Sequence, residues 1–132
     1  MQPKHFQPGE GKTFKIGRMS VTFKTTAGEN WNAYTVCEAM EPPESGAGYH
    51  RHPTYDKTFI ICEGHYDFRL DGKLLKLGAG DVVFVPRGIA HGFVSTGPEG
   101  GRALLRLAYA FTSAARLVVK RFATKLSTRI HH

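Results

Sequence analysis

Nowhere in the 132 residues does an apolar run approach the roughly 18 residues that cross a bilayer, which excludes a membrane-spanning helix. The opening Met1-Gln2-Pro3-Lys4-His5 starts no apolar stretch and offers no small-residue cleavage site, so a cytoplasmic protein is expected. Cysteine is scarce. Cys37 and Cys62 both sit inside strand-like runs, which favours buried free thiols in a reducing compartment over a disulfide. Acid is also short, with 11 Asp and Glu against 18 Lys and Arg and a formal charge of +7. That excess is uneven: residues 116–132 hold five basic residues and no acid, leaving +2 on the rest of the chain. A cationic end with one aromatic, Phe122, is not the gathered basic and aromatic surface that nucleic acid requires. There is no helix-turn-helix pattern either, so nucleic acid is not an expected partner.

What the chain does have is alternation. Its length and its 41% hydrophobic content suit one domain over 1–132 with a usable core. Strand-like runs fall at 13–25, 33–41, 57–63, 65–70, 73–77, 81–85, 91–96 and 102–111, separated by Gly, Pro and Asp-Gly signals. The pattern predicts an all-β sandwich or barrel over about 13–111. The clearest hairpin joins 66–70 to 73–77 through Asp71-Gly72, which supplies the positive φ values of a type I′ turn. A two-residue turn sets Tyr66 against Leu77, Phe68 against Leu75 and Leu70 against Lys73 on a buried face, with Asp67 opposite Lys76 outside. Residues 41–48 read as a loop. The runs 13–25 and 33–41 offer more β edge than a small barrel needs, so a homodimer is expected. After Thr112 the apolar period lengthens to three or four at Ala115, Val119, Phe122, Leu126 and Ile130. This predicts an amphipathic C-terminal α-helix over about 113–130, lying on the barrel with its basic face in solvent.

Two histidine elements carry the chemistry. His50-Arg51-His52 places imidazoles two residues apart, and an extended chain points such side chains to one face. Residues 80–91 then run strand, Pro-Gly turn and a third histidine, His91. The pair of elements resembles the cupin superfamily. Its second motif, Gly-x5-Pro-x-Gly-x2-His, is matched at Gly80, Pro86, Gly88 and His91, and its first at His50, His52 and Gly64. The resemblance covers about residues 40–111. It implies a cupin jelly-roll β-barrel of six to eight strands, with a ligand site inside its mouth. It also implies that His50, His52 and His91 hold one divalent transition metal, Fe, Zn, Ni, Mn or Cu. The competing reading is a metal-free polar pocket lined by the same imidazoles. Three convergent neutral imidazoles suit such ions and are costly to bury unpaired, which favours the metal. His5, His65, His131 and His132 have no such context, and His65 is expected at the surface.

Two positions depart from the family pattern. Its fourth ligand, a glutamate five residues after the second histidine, is Lys57 here, and its late asparagine is Ser95. Asp56 would replace that glutamate only if a bulge turned it inward. An inward ammonium at 4 Å from a dication would be repelled by roughly 8 kcal/mol at an effective dielectric of 20. Relief comes from rotation to the rim, loss of the proton, or an anionic ligand bridging lysine and metal. Arg87 flanks the second histidine element, and Arg51 is expected to point outward. These residues set out the functional expectation: a metal-dependent cupin enzyme, dioxygenase-like, acting on a small anionic substrate that is an enol, phenol or carboxylate, with Lys57 catalytic. The alternatives are an isomerase or cyclase using the ion as Lewis acid, and a barrel that binds a small molecule without turning it over.

Overall fold

The structure, a computed structural model, describes residues 2–30 and 33–109. Ten strands follow in order: β1 (Lys12–Ile16), β2 (Met19–Thr25), β3 (Tyr34–Glu41), β4 (Gly46–His50), β5 (Tyr55–Gly64), β6 (Tyr66–Leu70), β7 (Lys73–Leu77), β8 (Val82–Val85), β9 (His91–Ser95) and β10 (Gly101–Tyr109). They form a six-stranded sheet, β1-β2-β3-β10-β5-β8, and a four-stranded sheet, β4-β9-β6-β7. Both are antiparallel, and their inner faces share one core, the jelly-roll arrangement. Among the described residues no helix is long and apolar enough to cross a membrane. The helix expected over 113–130 lies outside the described residues.

Alternation decides what each strand buries. In β5, Tyr55, Lys57, Phe59 and Ile61 face inward, and in β10 so do Ala103, Leu105, Leu107 and Tyr109. Phe59 meets Phe68 at 4.8 Å and Phe93 at 5.5 Å, both edge-on, so one phenyl ring joins the two sheets. Each such ring stabilises the fold by ~1.5–3 kcal/mol through burial. The β6–β7 hairpin has the expected register, Tyr66↔Leu77, Phe68↔Leu75 and Leu70↔Lys73, with Asp67 bridged to Lys76 outside. Asp71 and Gly72 both take positive φ, 49° and 82°, as the type I′ turn requires.

Three expectations need correction. The run 13–25 is not one strand but the β1–β2 hairpin, reversed at Gly17-Arg18, where Gly17 has φ 62°. The run 33–41, as β3, is covered on both sides by β2 and β10, so the sheet's edges are β1 and β8. Residues 46–48, read as loop, belong to β4, whose backbone approaches β9 so closely that a Cβ on Gly46 would run into the Phe93 carbonyl oxygen. The glycines that resemble a loop signal are what allow this pairing. The two thiols also differ: Cys37 is buried and free, whereas Cys62 is free but half-buried, because it alternates with inward Ile61.

Candidate metal centre

β4 and β9 bring the two histidine elements together through a bulge. Ala47 pairs with Phe93, but His50 pairs with His91, so one extra residue is taken up at Gly48-Tyr49. Without it Tyr49 would face inward; with it Tyr49 is 47% exposed and His50 is 4% exposed. His52 follows just beyond the strand end, and its carbonyl accepts from Gly88 N at 2.7 Å, which locks the Pro-Gly turn of the second element onto the first. The hairpin turn adds a tie on the other side, Asp71 N donating to Ala90 O at 2.9 Å. Where the family carries asparagine, buried Ser95 donates to Pro42 O at 2.6 Å and accepts from Ser45 N at 3.1 Å, which fixes the start of β4.

His50, His52 and His91 are all buried, with one nitrogen from each lying within 4.8 Å of the others. The rings of His50 and His52 are 4.6 Å apart, and those of His50 and His91 4.5 Å. His50 Nδ1 donates to the Gly48 carbonyl and His91 Nδ1 to Ile89 O, so both rings turn their Nε2 lone pairs inward. Backbone carbonyls orient metal-binding imidazoles in this way. The Nε2 atoms of His50 and His52 stand 2.9 Å apart, close to the ~3.0 Å between two ligands at right angles ~2.1 Å from one ion. The donors, their burial and their spacing therefore fit a transition metal.

Residues 37–105 match the cupin domain family. The chain is a cupin. No curated protein matches it. Among solved structures, an RmlC-like cupin from Shewanella frigidimarina is 24% identical, with TM-score 0.69, over 83% of this chain and 94% of that one. KdgF from Halomonas is 15% identical, with TM-score 0.70, over 83% and 96%. A predicted oxalate decarboxylase from Thermotoga maritima is 22% identical, with TM-score 0.69, over 75% and 91%. At these identities the likeness is one of fold.

In this cupin Asp56 does not face the histidines. Its carboxylate takes Arg87 N at 2.9 Å and the Arg87 guanidinium at 3.1 and 3.2 Å on the outer side of β5, and Arg87 holds its pKa below the ordinary value. Arg87 is thereby turned away as well, and Arg51 and His65 are exposed.

Lys57 points inward at 1% exposure, which removes rotation to the rim. Its Nζ lies 4.7 Å from the Phe59 centroid, and the His91 ring packs on the same phenyl at 6.0 Å. Burial pulls the amine down to about 7, against the opposing pull of Cys37 and Glu41. Glu41, 4% exposed at the end of β3, accepts from Tyr66 Oη and is pushed up to about 7 by burial. Burial also pushes the Cys37 thiol up to about 12. Sequence reasoning missed Glu41, which resembles a loop acid before Pro42-Pro43, and Tyr55, whose ring stacks on His52 at 4.5 Å with its hydroxyl 2.7 Å from His52 Nδ1. Strand alternation from Lys57 was the available signal for Tyr55.

Proposed function

We propose that this cupin is a metal-dependent enzyme acting on a small organic anion, an enolate, phenolate or carboxylate, in a dioxygenase-like reaction. The observation that carries this is the pairing of three convergent buried imidazoles with an inward, buried lysine whose amine burial pulls down to about 7. His50, His52 and His91 would hold one ion of Fe, Zn, Ni, Mn or Cu. Such an ion supplies Lewis acidity toward a bound oxyanion and, when redox-active, electrons toward dioxygen. Neutral Lys57 takes the substrate's enol or phenol proton, which places the new negative charge beside the histidines, and the resulting ammonium then faces that anion. Phe59, Phe68 and Phe93 supply an apolar surround that strengthens both attractions. A carboxylate substrate is in keeping with the neighbour named as a predicted oxalate decarboxylase.

Lys57 also favours a second reading, an isomerase or cyclase, because an amine with pKa about 7 returns a proton as readily as it takes one. One panel of enols, phenols and keto acids separates the readings. Oxygen uptake supports the dioxygenase, and solvent deuterium entering recovered substrate or product without oxygen uptake supports the isomerase or cyclase. Binding without either reaction supports a ligand-binding barrel. We further propose a homodimer, cytoplasmic in location, formed through the open edges β1 or β8. Light scattering at working concentrations should give twice the 14.6 kDa chain mass; monomer alone would refute this.

A further inference from the structure

The outer faces of the two sheets differ in what they show to solvent. On the four-stranded sheet the registers Gly92↔Arg69↔Leu74 and Val94↔Asp67↔Lys76 set a charge beside each exposed apolar side chain. On the six-stranded sheet the register Leu104↔Ile60↔Val82 contains no charge. Ile60 is 38% exposed and Val82 60%, and Phe84, 56% exposed, follows on β8 opposite Thr58. The charge nearest in register, Arg106, lies over the Tyr34 ring at 4.9 Å, on the side of β10 away from β8. Contiguous exposed apolar surface of this kind marks a docking face, and its width says what fits. From β10 to β8 the strip is two strand spacings, about 10 Å, wide, which matches the diameter of one α-helix. A second barrel would need about 800 Å² on each partner, far more than so narrow a strip offers.

The chain itself supplies an occupant of that size. β10 ends at Tyr109, opposite Tyr55 and tied by its N–H to Ala33 O, at one end of the sheet. Residues 110–132 follow and lie outside the described residues. Over 113–130 their sequence puts Ala115, Val119, Phe122, Leu126 and Ile130 on one helical stripe, with only basic charges beside it. We propose that residues 113–130 dock as one amphipathic helix on the outer face of β10, β5 and β8, laying Val119, Phe122 and Leu126 over Leu104, Ile60, Val82 and Phe84. A helix over 113–130 measures ~27 Å against ~30 Å for β10, so after a reversal at 110–112 it runs back along the whole sheet. Its far end then meets Glu63 and Asp81, the sign of charge that suits Lys125 and Arg129. The cover braces β8, the edge strand that leads into the turn whose Gly88 N is held by His52 O.

The test is photo-cross-linking in the full-length chain, with benzoylphenylalanine in place of exposed Phe84 and, as the control on the other sheet, in place of exposed Leu74. Unlabelled and isotope-labelled chains are mixed before irradiation, so peptide masses separate links within one chain from links between two. The probe at position 84 is expected to link to residues 113–130 of its own chain, and the probe at position 74 is not. Phe122→Asp should cut the first link at least about tenfold, because an unpaired carboxylate resists burial against apolar side chains. No link from position 84 to 113–130, an equal yield from position 74, or a yield unchanged by Phe122→Asp would overturn the proposal. Links found only between chains would overturn it too, and would make a second copy the occupant. Both probes sit on exposed side chains, so the comparison of positions 84 and 74 decides the matter even if Phe122→Asp folds poorly.

Discussion

The inner faces of the two sheets handle buried polarity in opposite ways. On the four-stranded sheet, His50 and His91 are each held by a backbone carbonyl that accepts from Nδ1, which turns the Nε2 of both rings toward one point. On the six-stranded sheet, Lys57 and Glu41 lie among apolar side chains, and burial has drawn an amine and a carboxyl from opposite ends of the pH scale to about 7. Under the proposed function, one face holds a cation and the other moves a proton. Hydrogen bonds from Nδ1 to the main chain fix the orientation of the buried imidazoles, whereas burial moves a buried amine or carboxyl toward its neutral form.

The largest effect should come from breaking the first face. His91→Ala removes a ligand whose position the β4–β9 pairing fixes, and metal retained through gel filtration should fall at least ~100-fold while the barrel stays folded by circular dichroism. Retention unchanged would mean that His91 is not a ligand.

Breaking the second face should show in stability rather than in metal content. Below about 7 Lys57 carries its proton in the folded and unfolded chain alike; between 7 and the ordinary 10.5 only the unfolded chain keeps it. Stability contributed by this group is therefore full above 10.5 and lost as pH falls toward 7, a change on the order of 5 kcal/mol. Glu41 acts on the other side: the fold keeps a proton that the unfolded chain has released between 4.5 and about 7, so its stability is full below 4.5 and lost as pH rises to 7. Metal-free protein should thus be least stable near pH 7. Lys57→Met should flatten the limb above 7 and raise the urea midpoint at pH 7. A wild-type midpoint that is level from pH 7 to 10 would contradict the burial argument.

Exchanging the character of the faces sharpens the comparison. Lys57→Glu puts a carboxylate where the cupin pattern has its fourth ligand, and it should tighten zinc about tenfold while weakening anionic ligands, both readable by calorimetry. If neither changed, Lys57 would have no bearing on the site. The smallest effect belongs to Asp56→Asn, which leaves Arg87 without its carboxylate on the outer surface. It should cost under ~1 kcal/mol in urea unfolding and leave zinc affinity alone. A loss of metal there would place Asp56 back among the candidate ligands.

Much of this was legible in residue order. Three histidines with the spacing around Gly80, Pro86 and Gly88 pointed to one centre, and the Asp71-Gly72 turn set a register that the structure reproduces. Of the three ways of relieving an inward ammonium at Lys57, its burial removes rotation to the rim. What could not be read depended on partners distant in sequence. β4 resembles a loop because Gly46 and Gly48 are there for close approach to β9 and because the bulge interrupts alternation. Asp56 was undecided because its partner, Arg87, stands 31 residues away. Glu41 meets its partner Tyr66 25 residues further on, whereas Tyr55 lies three residues from His52 and was within reach of strand alternation from Lys57.

The functional reading stands or falls on a three-imidazole metal centre. X-ray absorption on protein purified without added metal, then reloaded with nickel or zinc, probes that centre itself. About one ion per chain with three imidazole nitrogens at ~2.0–2.2 Å is the expected result. No ion held after reloading, or a coordination shell without imidazole scattering, would contradict it.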